Sequence, residues 1–360
     1  MKIVALLAVL VGAAPVLSNP VCLQNEARAA PTKTVVTRFS YMVPMGVDAL
    51  TQYFTQEKAA KYYASVTAFG LVPSQTYAAF PTCTGTDWQR FKCYVESHNK
   101  AHPQQLYKVV FLARHGEGKH NVASGCDLIN PDKMLDADLT DPKGFNEATA
   151  ARNYWATAAA APLNVWKPEK VYVSPLRRST LAGYITFNGL SSFVQDVTFK
   201  DELGEYKGKQ YYNRRHNTDW IQNNIIRSNT TFQGLDQLDF CDTEWLRYTL
   251  QWTQETNMAT RVKNFLDEAF TVDADKNFIY ITSHGGTSQA ILSVLGRSGS
   301  LFGGDTGQIY PVLVQYSSTA TATITKLSLP PARTAACSLS AGGCTSTIPA
   351  SFMATGTTCP

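Results

Sequence analysis

Histidines at the ends of two apolar runs, far apart in the chain, are the residues best placed to do chemistry. The first run is Val109-Val110-Phe111-Leu112-Ala113-Arg114-His115-Gly116-Glu117, and the second is Phe278-Ile279-Tyr280-Ile281-Thr282-Ser283-His284-Gly285-Gly286. Two imidazoles with Arg114 beside them, and with whatever further cations the loops bring, make a site for a dianionic phosphoryl group, one histidine serving as nucleophile. That chemistry needs both histidines in one crevice. A continuous apolar, β-branched run closed by glycine reads as a buried parallel strand. Open α/β sheets bind their ligands at the carboxyl ends of such strands. Strands at 107–113 and 278–282 would therefore deliver His115 and His284 to one edge.

The surrounding pattern supplies the rest of such a sheet. Apolar spacing predicts helices over 48–64, 88–100, 144–161, from Leu176 onward, 245–270 and 287–295. A short strand is expected at 171–173. Two late strands at 312–316 and 321–325 read as an edge pair, and residues 30–43 read as an extended segment lying over the core. Alternation of strand and helix through 107–295 predicts an α/β fold, a three-layer α/β/α sandwich with a mostly parallel central sheet.

At 360 residues with 44% hydrophobic and 17% charged content, the chain has ordinary globular composition. Its net charge of +4 is too mild for a nucleic-acid binder, and no long Lys/Arg run occurs. Residues 1–18, one cation followed by a short apolar run and small residues, read as a secretory signal peptide. No later segment is long enough to span a membrane. Export to an oxidising compartment makes disulfides the default for the eight cysteines, Cys22, Cys83, Cys93, Cys126, Cys241, Cys337, Cys344 and Cys359. Their pairing stays open among about 105 possibilities. No Cys-x-x-Cys pair occurs, which argues against a zinc site. Asn229-Thr230-Thr231 is a candidate N-glycosylation sequon. The expected organisation is a signal peptide over 1–18, an N-terminal extension packing on the core over 19–104, a catalytic domain over 105–326, and a Ser/Thr/Cys-rich tail over 327–360.

A bare Arg-His-Gly means little alone. Here it extends to Arg114-His115-Gly116-Glu117-Gly118-Lys119-His120-Asn121-Val122, followed in order by Ser174-Pro175-Leu176-Arg177-Arg178, Leu203-Gly204-Glu205-Tyr206-Lys207-Gly208 and His284-Gly285. With these motifs the chain resembles the phosphoglycerate mutase-like branch of the histidine phosphatase superfamily, and most of all the secreted fungal and plant mutase-like phosphatases. The resemblance runs from about residue 105 to residue 325. It implies that His115 is the phosphorylated nucleophile, Arg114 and Arg178 phosphate ligands, and Glu205 the general acid. It further implies that Asn121 closes the first phosphate loop, that His284 is the second catalytic histidine, and that the Gly285 backbone N–H faces the phosphoryl oxygens.

Each role has a physical reason. The attacking imidazole must be neutral, with its second N–H held by an acceptor. Guanidinium forks suit phosphate oxygens. The leaving alkoxide needs a proton, which the acid supplies before acting as base towards water.

The chain also departs from the family pattern. Leu139-Thr140-Asp141-Pro142-Lys143-Gly144 is one residue longer than the usual Leu-Thr-x-x-Gly. Ser179-Thr180-Leu181-Ala182-Gly183 replaces Ala-x-x-Thr-Ala, and Tyr212-Asn213 stands where relatives often carry Cys-Asp. Arg214 and Arg215 read equally as substrate contacts or surface charge. His98 with His102, His120 and His216 are read as incidental. The expected function is a secreted, extracellular phosphomonoesterase working through a phosphohistidine on small phosphorylated metabolites, with no metal or organic cofactor and no nucleic-acid or membrane partner. Phosphoglycerate mutase activity, interconverting 2- and 3-phosphoglycerate, is the alternative, poorly matched to export. A non-catalytic phospho-ligand binder is the third.

Overall fold

The computed structural model describes residues 32–42, 54, 67–74, 76–190, 197–226, 232–238, 242, 244–245, 255–296 and 305–326. All of these fall within one compact unit, residues 28–331. The expected signal peptide, the sequon at Asn229, the tail, and Cys22, Cys241, Cys337, Cys344 and Cys359 lie outside the described residues.

Seven strands form one sheet: β1 (Thr32–Met42), β2 (Leu106–Arg114), β3 (Lys170–Val173), β4 (Val197–Phe199), β5 (Phe232–Gln233), β6 (Phe278–Ser283) and β7 (Ile309–Lys326). Their order is β1-β7-β2-β6-β3-β4-β5. From β2 across to β5 every pairing is parallel, and β7 runs antiparallel between β2 and β1. Among the described residues the named helices are α1 (Asp87–Ala101), α2 (Lys119–Val122), α3 (Pro131–Met134), α4 (Lys143–Ala158), α5 (Arg177–Phe187), α6 (Thr218–Ile221), α7 (Met258–Val272) and α8 (Gly285–Val294).

Two apolar cores, one on each face of the sheet, make the three layers. Strand β2 divides by alternation: Val109, Phe111 and Ala113 meet α1 and α4, whereas Val110 and Leu112 meet α7 and α8. Helix α7 buries Met258, Val262, Phe265, Leu266 and Ala269, the spacing of a single helical stripe. A capping box between Thr86 and Gln89 starts α1. Cys83 and Cys93 form a disulfide that ties the preceding loop to this helix, and Cys126 is disulfide-bonded as well. Among the described residues no helix is long and apolar enough to cross a membrane.

Register matters most for function. Strand β2 pairs with β6 so that Val109 faces Phe278 and Arg114 faces Ser283. The two strands end level, and the next residue of each is a histidine.

Several elements differ from the sequence expectation. Of the extended segment expected over residues 30–43, Thr32–Met42 is described, and it is the edge strand beside β7 instead of a cover on the core. The buried Asp267 of α7 holds it there, accepting from Arg38 Nη1 (2.8 Å), the Tyr41 hydroxyl (2.7 Å) and Phe39 N–H (3.3 Å). The two late strands are one continuous strand, β7, because β1 and β2 pair along it. Of the helix expected over 245–270, Trp245 is helical and residues 246–254 lie outside the described residues; the chain is non-helical at 255–257, where the Glu255 backbone N–H donates to the Lys207 carbonyl (2.8 Å), and α7 starts at Met258. The helix expected to reach Ala161 ends at Ala158, whose carbonyl accepts from Val165 N–H (2.9 Å). Of the helix expected over 48–64, only Phe54 is described; it is buried and bridged to Leu71, not helical. Strands β4 and β5, three and two residues long, are too short to show a period.

Candidate active site

His115 stands at the end of β2 and is 1% exposed. Its Nδ1 lies 2.6 Å from the Gly116 carbonyl oxygen. A carbonyl can only accept, so Nδ1 carries the proton and Nε2 has the free lone pair. That lone pair accepts from Arg178 Nε–H at 3.2 Å. A neutral imidazole with its reactive nitrogen beside a guanidinium is a nucleophile waiting for a phosphoryl group. Burial first, then the charge of Arg178, drives the His115 pKa well below its ordinary value.

Arg178, fully buried in the first turn of α5, spreads its fork over three partners. Besides His115 it donates from Nη1 to the Tyr212 carbonyl (2.5 Å) and from Nη2 to Asn213 Oδ1 (3.0 Å). Burial lowers its pKa to about 10, and the nearby carboxylates of Asp136 and Glu205 oppose that shift, so it stays charged at neutral pH. Asp136, itself buried, caps this helix start by accepting from Arg177 N–H (2.7 Å), and its other oxygen takes the N–H and Nδ1 of His216. Arg177 instead pairs with Asp138 (2.5 Å). Of the adjacent arginines, only Arg178 enters the site.

His284 is the N-cap of α8 and is wholly buried, its ring centre 5.0 Å from that of His115. Its Nε2 is 2.8 Å from Ser174 Oγ. The Ser174 oxygen already accepts the Leu176 N–H (3.3 Å). With the Ser174 hydroxyl donating to Nε2, Nδ1 carries the ring proton, and Nδ1 has no protein partner, which leaves it to donate to a ligand. A Cβ on Gly285 would stand 3.6 Å from the Arg114 guanidinium, an ordinary contact.

Glu205 is clamped in place. Its Oε2 accepts from Gly286 N–H (3.0 Å) and its Oε1 from Tyr206 N–H (2.9 Å). A Cβ at position 286 would stand 2.3 Å from the Tyr206 ring and 2.5 Å from Glu205 Oε1, so any larger residue there would push both side chains out of place. Arg261 grips the turn from behind, donating to the carbonyls of Glu202 (2.5 Å), Gly204 (2.9 Å) and Glu205 (3.4 Å), while Glu255 holds its other side (2.7 Å). Arg114 is half-exposed and feels the Glu205 charge first among its neighbours.

The long Leu139–Gly144 loop buttresses the histidine loop. Thr140 N–H donates to the Glu117 carbonyl (2.8 Å), and Lys119 N–H to the Asp138 carbonyl (2.8 Å). Gly116 and Gly144 cross so closely that a Cβ on either would meet backbone at 2.3 Å or less. Asn121 is exposed and caps this loop, its Oδ1 accepting from Gly118 N–H (2.8 Å). Arg215 is spent on Asp201, and Arg214 lies over the Trp245 ring. His98 bonds to the Gln105 carbonyl and stacks on Tyr107, away from the site. Among the described residues, no group of three or more His, Cys, Asp or Glu could hold a metal ion.

His120 was read as incidental, yet its ring centre lies 5.5 Å from that of His115. Burial, then Arg178 and Arg114, pushes its pKa down to about 2. His115, His120 and His284 are thus all neutral when folded and titrate near 6.5 when unfolded. Below pH 6.5 the unfolded chain binds protons the folded chain refuses, so this contribution to stability is present above 6.5 and lost as pH falls. The limiting slope is about 4 kcal/mol per pH unit for three such groups. Denaturant midpoints measured at pH 7 and pH 5 should fall accordingly.

No family model matches the chain. A protein named "Probable phosphoglycerate mutase" from Arthroderma benhamiae is 31% identical over 250 residues, which is 63% of this chain and 70% of that protein. "Phosphomutase-like protein 3" from Candida albicans is 28% identical over 220 residues, 58% of this chain and 65% of that protein. Among solved structures, phosphoglycerate mutase from Bacillus anthracis aligns with 62% of this chain and 95% of its own, at 14% identity and a TM-score of 0.36, a likeness too loose to carry an argument.

Proposed function

We propose that this chain, which belongs to the phosphoglycerate mutase-like branch of the histidine phosphatase superfamily, is an exported phosphomonoesterase acting on small phosphorylated metabolites. The observation that carries this reading is the His115 imidazole, fixed with Nε2 unprotonated and facing Arg178 at 3.2 Å. In the first half-reaction Nε2 forms a bond to phosphorus as the ester P–O bond breaks. Arg114, Arg178 and His284 Nδ1–H take the charge on the equatorial oxygens. Glu205 gives its proton to the leaving alkoxide. The Gly116 carbonyl holds Nδ1–H throughout and so offsets the positive charge that develops on the ring. In the second half-reaction Glu205 takes a proton from water, the water oxygen bonds to phosphorus, and the P–N bond breaks.

Hydrolysis is preferred over phosphoglycerate isomerisation on the cations left over. A phosphoglycerate carboxylate would need a further positive partner. Arg177 and Lys143 at helix starts, and Arg215 and Lys207 in loops, are each paired with a carboxylate of the protein. Export is supported by the signal-like residues 1–18 and by the Cys83–Cys93 disulfide. With 3-phosphoglycerate and a panel of phosphomonoesters, free phosphate should appear without 2-phosphoglycerate. Isomer without phosphate release would make the protein a mutase, and binding without either product would make it a phospho-ligand binder.

A further inference from the structure

We infer that His120 is a third imidazole ligand of the transferring phosphoryl group, an inference that rests on the phosphoryl-transfer reading above. Three observations meet at this residue. Its Nδ1 is buried and has no hydrogen-bond partner in the protein, an uncommon state for a buried polar atom and one that a ligand relieves. Its ring centre lies 5.5 Å from that of His115, much as that of His284 lies at 5.0 Å, so both imidazoles stand within reach of a phosphoryl group on His115.

The third observation is that the backbone is shaped to let it in. A Cβ on Gly118 would stand 2.7 Å from His120 Cε1 and Nδ1 and 3.2 Å from Arg178 Cδ. Only glycine therefore allows the imidazole to fold back beside Arg178. Tyr212 then stacks on the ring, 4.9 Å between centres and 19° from parallel, and fixes its plane.

The chemistry fits a phosphoryl oxygen better than a leaving group. Arg178 both adjoins the His120 ring and points its Nε–H at the attacking nitrogen. A neutral imidazole can donate one N–H there without adding a third full charge next to two guanidiniums. Charge spread over the equatorial oxygens in the transition state strengthens such a contact more than the ground state does.

The test compares His120→Phe, which keeps a flat ring for Tyr212 but no nitrogen, with His120→Gln, which restores a donor. Inhibition by orthovanadate, a five-coordinate phosphoryl mimic, is measured alongside kcat/KM on a phosphomonoester and the melting temperature. His120→Phe should weaken vanadate inhibition and lower kcat/KM by about 10- to 100-fold each, with kcat carrying most of the loss, and His120→Gln should recover part of both. Vanadate inhibition within twofold of wild type overturns the inference. So does a change confined to KM for bulky esters, or a loss that merely follows a fallen melting temperature. Should wild-type protein itself neither hydrolyse phosphomonoesters nor bind vanadate, the phosphoryl-transfer reading falls as well. An active wild type with an unaltered His120→Phe variant removes only the role of His120.

Discussion

Replacing His115 with alanine should abolish turnover, lowering kcat by at least about 10⁴-fold, as removal of a covalent nucleophile does elsewhere. No other imidazole can take over. His284 Nε2 is engaged with Ser174, and the His120 ring is held against Tyr212. The fold should survive, because the His115 backbone is held independently of its side chain, with N–H donating to the Ser283 carbonyl (3.1 Å) and its carbonyl accepting from Gly307 (2.9 Å). The imidazole itself is buried in its neutral form between guanidiniums, so its loss relieves as much as it removes. Steady-state phosphate release and a melting curve on the same preparation check both halves. Residual activity above a tenth of wild type would mean another group attacks phosphorus.

Arg178 should show the next largest effect, and even Arg178→Lys should fail. One ammonium cannot reach His115 Nε2, the Tyr212 carbonyl and Asn213 Oδ1 together, as the guanidinium does. Loss of the fork should lower kcat/KM by about 10²- to 10³-fold, the range for removing one aimed donor from a charge-developing site. Arg178→Ala should in addition destabilise the protein by about 3 kcal/mol, because it leaves the Tyr212 carbonyl and Asn213 Oδ1 without their buried donor. Denaturation midpoints of the two variants separate the effects. Lysine retains the charge and most of the stability, and alanine retains neither.

The parts of this site that were legible in the sequence are those carried by local pattern. Apolar strands closed by glycine marked His115 and His284, and level pairing of β2 with β6 then brought them together without any further device. Arg178 was legible only through the Ser-x-Leu-x-Arg resemblance, since two adjacent arginines look alike on paper. What separates them is Asp136, which caps the Arg177 N–H from 41 positions away and sets which side chain turns inward. Such a contact has no local signature.

The same holds for the grip on Glu205. Arg261 lies 56 residues beyond the acid and belongs to a helix, Met258–Val272, that the sequence ran together with residue 245 across the break at 255–257. Glu255, read as mid-helix, is instead a side-chain anchor for that arginine. His120 was passed over because a histidine beside asparagine in a loop carries no signal by itself. The clue was Gly118, whose missing Cβ makes room for the ring. Conversely, β1 was misread because its polar residues suit an edge strand as well as a loose cover, and only the buried Asp267 decides between them.

Chemical trapping of the intermediate tests the central claim most directly. Wild-type protein mixed with a phosphomonoester, quenched in alkali and digested, should yield one acid-labile phosphopeptide carrying phosphate on the Nε2 nitrogen of His115. A phosphate found on any other residue, or burst kinetics with no labelled protein at any quench time, would contradict the account.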